Sequence, residues 1–555
     1  MSWCRGDDDL SEIRERKRER ERERERERGR KGRREREKVA DNMKFPQLVF
    51  AIWCIVFCLL HVRCVASQGE SCDSETVGKN DAVSQDEMLI DVLGRELNAR
   101  YLELGKVSDS DEHLTRHYMM SPAWFKAAAI IKGFMEDAGL TVWQDAIGNI
   151  RGRTPVGSCI DDNAPALVMG SHFDTVRNGG KYDGMLGVLH PISAVKALLL
   201  SLKDEATGET KKLVRPIELI AFGFEDGGRF FNGGLFASRA VTGELVKTDQ
   251  LNTILTEEGQ SLAEVLNENG FDGSKEAVSK AKLDPENVYA FVEMHIEQGP
   301  VLESMGLSLG VISKIVGSGS FLFSLKGVQG HAGQVQMVNR KDAVTATAEI
   351  ILGIESLCGG HERGVESMLV CTVGKVEVKP NVVNVISGDV VFSVNMRCLD
   401  DDILREVASK VKDLVAAVTS RRGLEFEILN ERPMGRHVPF DPSLTAKLVA
   451  AGEKAYISSA RLWGPNVYTD DIHINSSFVP NKADNVQPGT VAILPSGAGH
   501  DAMAMTKLTP QVAMLWLRCR DGVSHSPLEY VTERDVAEGG MALFHFLEEE
   551  LLPPM

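Results

Sequence analysis

The chain contains 555 residues, of which 43% are hydrophobic, and its formal net charge at pH 7 is −17. This length predicts two domains, and the hydrophobic content is sufficient for large cores. The acidic balance argues against nucleic acid as the main partner, because it would repel a polyanion.

Two segments precede the part of the chain that is expected to fold. Residues 1–42 form a charged extension without an apolar stripe, since residues 14–38 are almost entirely Arg, Glu and Lys. Residues 43–66 are typical of a signal peptide, with an apolar core from Leu48 to Leu60 that is too short to cross a bilayer comfortably. We therefore expect a cleaved signal, no stable membrane anchor and a protein of the secretory pathway, in the endoplasmic reticulum lumen. A retained anchor is the alternative if the extension is translated.

The cysteines are sparse in the region that follows the signal. Ten are present in total, and no CxxC pair occurs among the six after residue 66, which are Cys72, Cys159, Cys358, Cys371, Cys398 and Cys519. This spacing predicts neither a zinc finger nor a dense disulfide framework.

The folded region begins with alternating helix and strand patterns. Apolar residues at helical spacing predict a helix over residues 86–101, and Ser121 followed by Pro122 is typical of a second helix start. Strand-like segments at 140–142 and 149–152 come next. This alternation predicts an α/β architecture, and we expect an open sheet.

Four apolar segments resemble buried strands, and each is followed by histidine or carboxylate residues. The segments cover residues 166–169, 217–222, 288–294 and 491–494. The polar residues behind them are His172, Asp174 and Asp183, then Glu225 and Asp226, then His295, and finally His500. Any one of these could be a helix cap or a surface side chain. Open sheets, however, build sites where strands end, and imidazole and carboxylate bind zinc-like or manganese-like ions, so the repetition predicts a polynuclear metal site.

The pattern changes after the third of these strands. Residues 312–432 alternate as strand, helix, two strands, helix and a last strand, the order of the ferredoxin-like split motif. Because this segment is inserted between strand ends, we expect a separate α+β lobe hinged over the site. The catalytic domain would then comprise residues 86–311 and 433–555, with residues 461–487 as an insertion to which we assign no chemistry.

Several motifs resemble one known family. GSHFDT, KYDG, MHIEQGPVLE, GHAG, PNVVNVISG and SGAGHDAMA, with the acidic pair after the second strand, resemble the dinuclear-metal aminoacylase and exopeptidase superfamily. They are most similar to its amidohydrolases that act on carbamoyl (ureido) compounds, and among these to the amidohydrolases that act on allantoate. The resemblance covers roughly residues 86–460 and 490–550, and therefore both lobes.

The resemblance implies two divalent metal ions per subunit. His172 and His295 would hold one ion, Asp226 and His500 would hold the other, and Asp183 would bridge them. The family usually has glutamate at the position of Asp226, so this ligand is one methylene shorter here. Manganese is the metal that the resemblance implies, and the same ligands would also accept zinc.

Further roles follow from the same resemblance. Glu225 would be the general base, and Asp174 would orient the imidazole of His172. His331, Asn384 and Arg397 in the inserted lobe, together with Gln298, would contact substrate. Arg397 could hold a substrate carboxylate with two parallel hydrogen bonds, and His331 could stabilise an oxyanion.

The resemblance also implies an assembly and a reaction. The histidine of GHAG often reaches the site of a neighbouring subunit, so we expect a homodimer formed through the lid. The expected reaction is hydrolysis of the ureido group of allantoate to ureidoglycine, ammonia and carbon dioxide. Ureidoglycolate and N-carbamoyl amino acids are alternative substrates of the same small-molecule class. A catalytically silent binding homologue is the alternative of another class, which metal content and ammonia release would distinguish.

Overall fold

The computed structural model describes residues 84–109, 117–155, 163–202, 211–226, 230, 234–256, 258–364, 366–432, 434–464 and 489–553. The predicted charged extension, the predicted signal peptide and nearly all of the segment 461–487 lie outside the described residues. The described part contains two large sheets, each with its own hydrophobic cluster, and a two-stranded ribbon.

The first sheet is open and has nine strands. Its strands are β1 Thr141–Gln144, β2 Ile150–Arg153, β3 Ala166–His172, β4 Ile217–Phe222, β5 Val288–Ile296, β6 Leu309–Ile315, β14 Val438–Pro439, β15 Ala492–Ser496 and β16 Val512–Leu517. The order is β1-β2-β4-β3-β5-β16-β6-β14, and β15 pairs with β6. The neighbours β4, β3, β5 and β16 run parallel to one another. Every residue of β3, β4 and β16 is buried, which explains why these strands are mostly apolar.

Fifteen α-helices lie within the described residues. They are α1 Gln85–Leu89, α2 Leu97–Leu104, α3 Pro122–Asp137, α4 Met185–Ser201, α5 Phe236–Val241, α6 Glu244–Lys247, α7 Gln250–Thr253, α8 Leu262–Glu268, α9 Lys275–Ser279, α10 Val301–Ser304, α11 Ala343–Gly359, α12 Asp401–Arg422, α13 Pro442–Trp463, α14 Asp501–Met505 and α15 Glu533–Leu551. Ser121 caps α3 by accepting a hydrogen bond from the N–H of Trp124, as the sequence predicts. None of the described helices has both the length and the apolarity needed to cross a membrane. The predicted α/β class with an open sheet is confirmed.

The second sheet is antiparallel and is formed by residues 317–432. Its strands are β7 Gly317–Lys326, β9 Val370–Thr372, β10 Val376–Lys379, β12 Asp389–Cys398 and β13 Glu425–Arg432. The order is β10-β12-β7-β13, with β9 also paired to β12. Burial alternates along β12 with a period of two, so one face packs against α11 and α12. The separate ribbon consists of β8 Gly330–His331 and β11 Val385–Ile386.

Candidate metal centre and cavity

The carboxyl ends of the four parallel strands meet at one edge of the first sheet. His172 is the last residue of β3, and His295 is the penultimate residue of β5. The acidic pair Glu225 and Asp226 follows β4, and Asp183 immediately precedes the Gly184 cap of α4. The parallel pairing therefore gathers side chains that are far apart in the sequence.

The first cluster consists of His172, Asp183 and His295. The two Nε2 atoms are 3.3 Å apart, and Asp183 Oδ1 lies 3.1 Å from His295 Nε2 and 3.7 Å from His172 Nε2. Each Nδ1–H donates to a main-chain carbonyl, of Asp174 or of Ile296, at 2.9 Å. When both rings are neutral and Nδ1 holds the proton, both Nε2 atoms can direct lone pairs to one point.

The other oxygen of Asp183 faces a second cluster. His525 Nε2 lies 3.1 Å from Asp183 Oδ2 and 3.8 Å from Asp226 Oδ1. Asp226 also forms a group with His172 and Glu225 in which one ligand atom of each residue lies within 4.8 Å of the others. Asp183 thus has one oxygen in each cluster and could contribute a ligand atom to either.

The spacing of these atoms fits a metal ion. Ligand atoms that lie about 2.1 Å from a tetrahedral ion are about 3.4 Å from one another. The distances between ligand atoms described above for the two clusters are 3.1 to 3.8 Å. The donors are imidazole nitrogens and carboxylate oxygens, which suit zinc and manganese. These residues could therefore hold a metal ion.

The pKa shifts of the buried carboxylates also favour a bound cation. Burial raises the pKa of Glu225 well above its usual range, and the nearby Asp226 carboxylate adds to this shift. Burial also raises the pKa of Asp226. Asp183 differs, because hydrogen bonds to His295 and His525 outweigh its burial and hold its pKa well below the usual range. A cation would relieve the repulsion among these buried carboxylates.

Asp174 supports the site in a way that the sequence did not indicate. Its main-chain carbonyl accepts from His172 Nδ1–H, whereas its carboxylate oxygen lies 3.7 Å from that nitrogen. The carboxylate instead accepts the N–H of Glu225 at 2.9 Å. The main chain of Asp174 thus orients the imidazole, and its side chain holds the backbone of Glu225.

Sequence reasoning did not identify His525 and Glu529. Both follow β16, whose carboxyl end lies at the site edge. Glu529 Oε1 accepts the N–H groups of Tyr182 at 2.7 Å and Asp183 at 2.9 Å. Burial raises the pKa of Glu529 to about 8. The signal that could have revealed these residues was the apolar run VAMLWL followed closely by SHSPLE.

His500 lies beside the first cluster but follows a different strand. It follows β15, which is parallel to β6, and β6 runs antiparallel to β16. The ring centroid of His500 is 4.4 Å from that of His295, and its Nε2 lies 3.1 Å from Ser496 Oγ. Among the described residues, His500 is in none of the three groups that could hold a metal. Its predicted role as a ligand stays a prediction.

A cavity of about 1090 Å³ opens onto the clusters. Gln298 and Arg397, for which the resemblance implies contact with substrate, both line it. Gln298 Nε2 lies 3.1 Å from both oxygens of Asp183, and Arg397 Nη1 donates to the carbonyl of Gly497 at 2.8 Å. The apolar wall includes Leu235, Val301, Val316, Met368, Val370 and Met503.

His331 and Asn384 do not line this cavity. Both are exposed: His331 is the last residue of β8 and Asn384 immediately precedes β11, and the N–H of Ala332 donates to the carbonyl of Asn384 at 3.0 Å. The structure therefore brings these two residues together with each other, and not with the histidine–carboxylate clusters of their own chain.

The fold and the site define a class of hydrolase with a histidine–carboxylate centre at the edge of an open α/β sheet. The model of peptidase family M20/M25/M40 matches residues 168–549, and the chain belongs to this family. The resemblance inferred from the motifs is confirmed.

Two curated relatives and a solved structure illustrate the similarity. Allantoate deiminase from Arabidopsis thaliana is 37% identical and covers 91% of this chain and 94% of its own length. N-carbamoyl-L-amino-acid amidohydrolase from Pseudomonas sp. (strain NS671) is 31% identical, with coverages of 80% and 94%. The crystal structure of AtUAH in complex with glyoxylate has a TM-score of 0.66 and 29% identity, and covers 83% of this chain and 99% of that one. The chain is a hydrolase that acts on C–N bonds.

Proposed function

We propose that the chain hydrolyses the ureido group of allantoate to ureidoglycine, ammonia and carbon dioxide. The observation that carries this proposal is Asp183, which has one oxygen in each of two histidine-containing clusters beside a cavity that Arg397 also lines. The similarity to allantoate deiminase supports the choice of substrate.

The proposed cofactor is a pair of divalent cations, with manganese preferred over zinc. His172, His295 and Asp183 would hold one ion, and Asp183, Asp226 and His525 the other. His525 replaces His500 in this assignment because its Nε2 faces both aspartates. Bound ions would activate water and polarise the ureido carbonyl.

Glu225 would transfer the proton. Its Oε2 lies 3.7 Å from His172 Nε2, directly beside the cluster. A carboxylate whose pKa is raised by burial is a stronger base than an exposed one, and it can later return the proton to the leaving nitrogen. Arg397 would bind the carboxylate of allantoate, and Gln298 would contact its ureido group.

Residues 317–432 would form a ferredoxin-like lid and dimerisation domain. Its elements occur in the order β7, α11, β9 and β10, β12, α12, β13. His331 and Asn384 lie outside the cavity of their own chain, and the segments next to them expose Met337, Val338 and Val383. These segments extend from the same end of the antiparallel ribbon. A second copy that covers this apolar end would receive His331 in its own site, where the imidazole would stabilise the oxyanion.

The secretory pathway remains our proposal for localisation. The described residues contain a disulfide between Cys358 and Cys371. Disulfides persist in oxidising compartments and are rare in the cytosol, which supports the lumen of the endoplasmic reticulum.

Ammonia release from allantoate tests the proposed function. We expect turnover with manganese, its loss after chelation and its return when manganese is restored. A parallel panel of ureidoglycolate and N-carbamoyl amino acids separates the related substrates, and the apolar wall favours the latter as the second candidate. A protein with full metal content that releases no ammonia from allantoate would contradict the substrate, and one that binds no metal would be a silent homologue.

A further inference from the structure

The one disulfide among the described residues links a helix to a short edge strand. Cys358 lies in the last turn of α11 and is buried, and Cys371 is the middle residue of β9. The two cysteines are 13 residues apart in the sequence, and their Cα atoms are 6.1 Å apart. The bond therefore closes a loop whose second half leads into β9.

This loop supplies part of the cavity wall. Met368 and Val370 both line the cavity, three residues and one residue before Cys371. Successive strand residues point to opposite faces, so the bond that draws Cys371 towards α11 leaves Val370 on the other face. In the pairing of β9 with β12, Val370 lies opposite Arg397, the residue proposed to bind the substrate carboxylate.

The other constraints on this part of the wall are non-covalent. Strand β9 has only three residues and pairs with β12, and no second partner strand is present among the described residues. Met368 has a backbone φ of +50°, in the left-handed region that residues other than glycine rarely adopt. Main-chain hydrogen bonds from Leu369 to Gly364 and from Leu399 to Ser367 hold the segment before β9, at 2.8 and 2.7 Å. A covalent link to a helix is the strongest of these constraints.

We propose that the Cys358–Cys371 disulfide is a positioning element that fixes Met368 and Val370 beside Arg397 and thereby sets the affinity for substrate. This inference rests on the proposed function. The candidate catalytic residue and the metal clusters belong to the first sheet and are not joined to the disulfide. Its loss should therefore weaken substrate binding without slowing the chemical step.

Reduction of the purified enzyme tests this inference directly. A dithiol such as dithiothreitol transfers two electrons and two protons to the disulfide, which gives two cysteine thiols and the cyclic disulfide of the reagent. We expect the KM for allantoate to rise about tenfold, because two wall side chains must then be ordered on binding. The kcat should stay within a factor of two. Manganese stays in excess in both samples, so that chelation by the dithiol does not contribute.

A variant and an exchange measurement complete the test. The double variant Cys358→Ser/Cys371→Ser should show the raised KM without reductant and no further change with it. Hydrogen–deuterium exchange in peptides covering residues 366–372 should become faster on reduction of the wild-type protein, with or without substrate. If the variant does not fold, the reduced wild-type protein still provides both readouts.

The outcomes separate the inference from the proposed function. An unchanged KM after complete reduction, or alkylation of Cys358 and Cys371 in the untreated protein, would overturn the inference. A wild-type protein that turns over no ureide would refute the proposed function, while faster exchange on reduction would still show that the bond holds the wall. If hydrogen–deuterium exchange in residues 366–372 is also unchanged on reduction of such a protein, the inference is refuted as well.

Discussion

Two regions of the molecule bury histidine, with opposite consequences. At the edge of the first sheet, burial opposes the charge on His295, yet its hydrogen bond with Asp183 raises its pKa to about 9. Between α2, α4 and α15, burial lowers the pKa of His190 to about 4, and no carboxylate among the described residues opposes this shift. The sign of the shift follows from the neighbours, since burial is complete in both places.

Hydrogen bonding explains why only one of these regions can bind a ligand. The hydroxyl of Tyr101 donates to His190 Nδ1 at 2.8 Å, and His190 Nε2–H donates to the carbonyl of Val536 at 3.0 Å. Both ring nitrogens of His190 are therefore used within the protein. In the site, the Nε2 atoms of His172 and His295 point towards each other and Asp183. A buried histidine is thus a candidate ligand when its acceptor atoms converge with others.

The largest expected effect in the first of these two regions is that of the exchange Glu225→Gln beside the histidine cluster. The amide cannot accept the proton, so we expect kcat to fall by about a thousandfold or more. Metal content and the midpoint of thermal unfolding should stay close to wild-type values, because the hydrogen bond to Asp174 uses the backbone of Glu225. Ammonia release and metal analysis measure both effects. Substantial ammonia release by the variant would remove Glu225 from its proposed role.

The exchanges His525→Ala and His500→Ala show which of these two histidines holds the second ion. We expect His525→Ala to lose about one ion per subunit and about a hundredfold in kcat, because a ligand of the ion is missing. His500→Ala should retain both ions, since its ring contacts His295 and Ser496. Metal content per subunit is the measurement, and the reverse pattern would restore His500 as the ligand.

We expect a smaller effect on metal binding from a change at Glu529, which supports the backbone of Asp183. Its Oε1 accepts the N–H groups of Tyr182 and Asp183, and residue 180 is a glycine because a Cβ there would lie 2.3 Å from the Glu529 carboxyl group. We expect Glu529→Leu to weaken manganese binding about tenfold or more, because the Asp183 backbone loses its support. Glu529→Gln keeps an acceptor oxygen and is the matched control, with affinity within a few-fold of wild type. Calorimetric titration with manganese measures this, and equal losses in both variants would mean that the charge matters and not the acceptor.

The sequence predicts the part of this site that follows strands with long apolar runs. His172 and His295 lie at the carboxyl ends of β3 and β5, Glu225 and Asp226 follow β4, and all four lie at the predicted edge of the sheet. Strand order is set by tertiary packing, which periodicity alone does not reveal. The fourth parallel strand is therefore β16 and not β15, and His525 was missed for that reason.

The second sheet shows the same limit. Strand and helix patterns predicted its elements, since alternation and helical periodicity are local properties of the chain. His331 and Asn384 lie outside the cavity of their own chain because of the direction in which the β8–β11 ribbon extends from the second sheet. No local sequence pattern encodes that direction. The disulfide is likewise a tertiary feature, because Cys358 and Cys371 have no motif spacing.

The exchange His190→Gln should have the smallest effect on activity and a clear effect on stability. A histidine whose folded pKa is lowered binds a proton more readily when the chain is unfolded. The stability it contributes is present above pH 6.5 and is lost as the pH falls towards 4. The full loss for His190 corresponds to about 3 kcal/mol of unfolding free energy. Glutamine can accept from Tyr101 and donate to Val536 but does not titrate, so the variant should lose less stability over this range.

Urea unfolding of both proteins between pH 7 and pH 4 measures that difference. Other titrating groups are common to the two proteins and cancel in the comparison. Ammonia release at pH 7 should remain within a factor of two of wild type, because His190 contacts neither cluster nor cavity. If the two proteins lose stability in parallel as the pH falls, the helical layer does not keep His190 neutral, and the contrast between the two regions would fail.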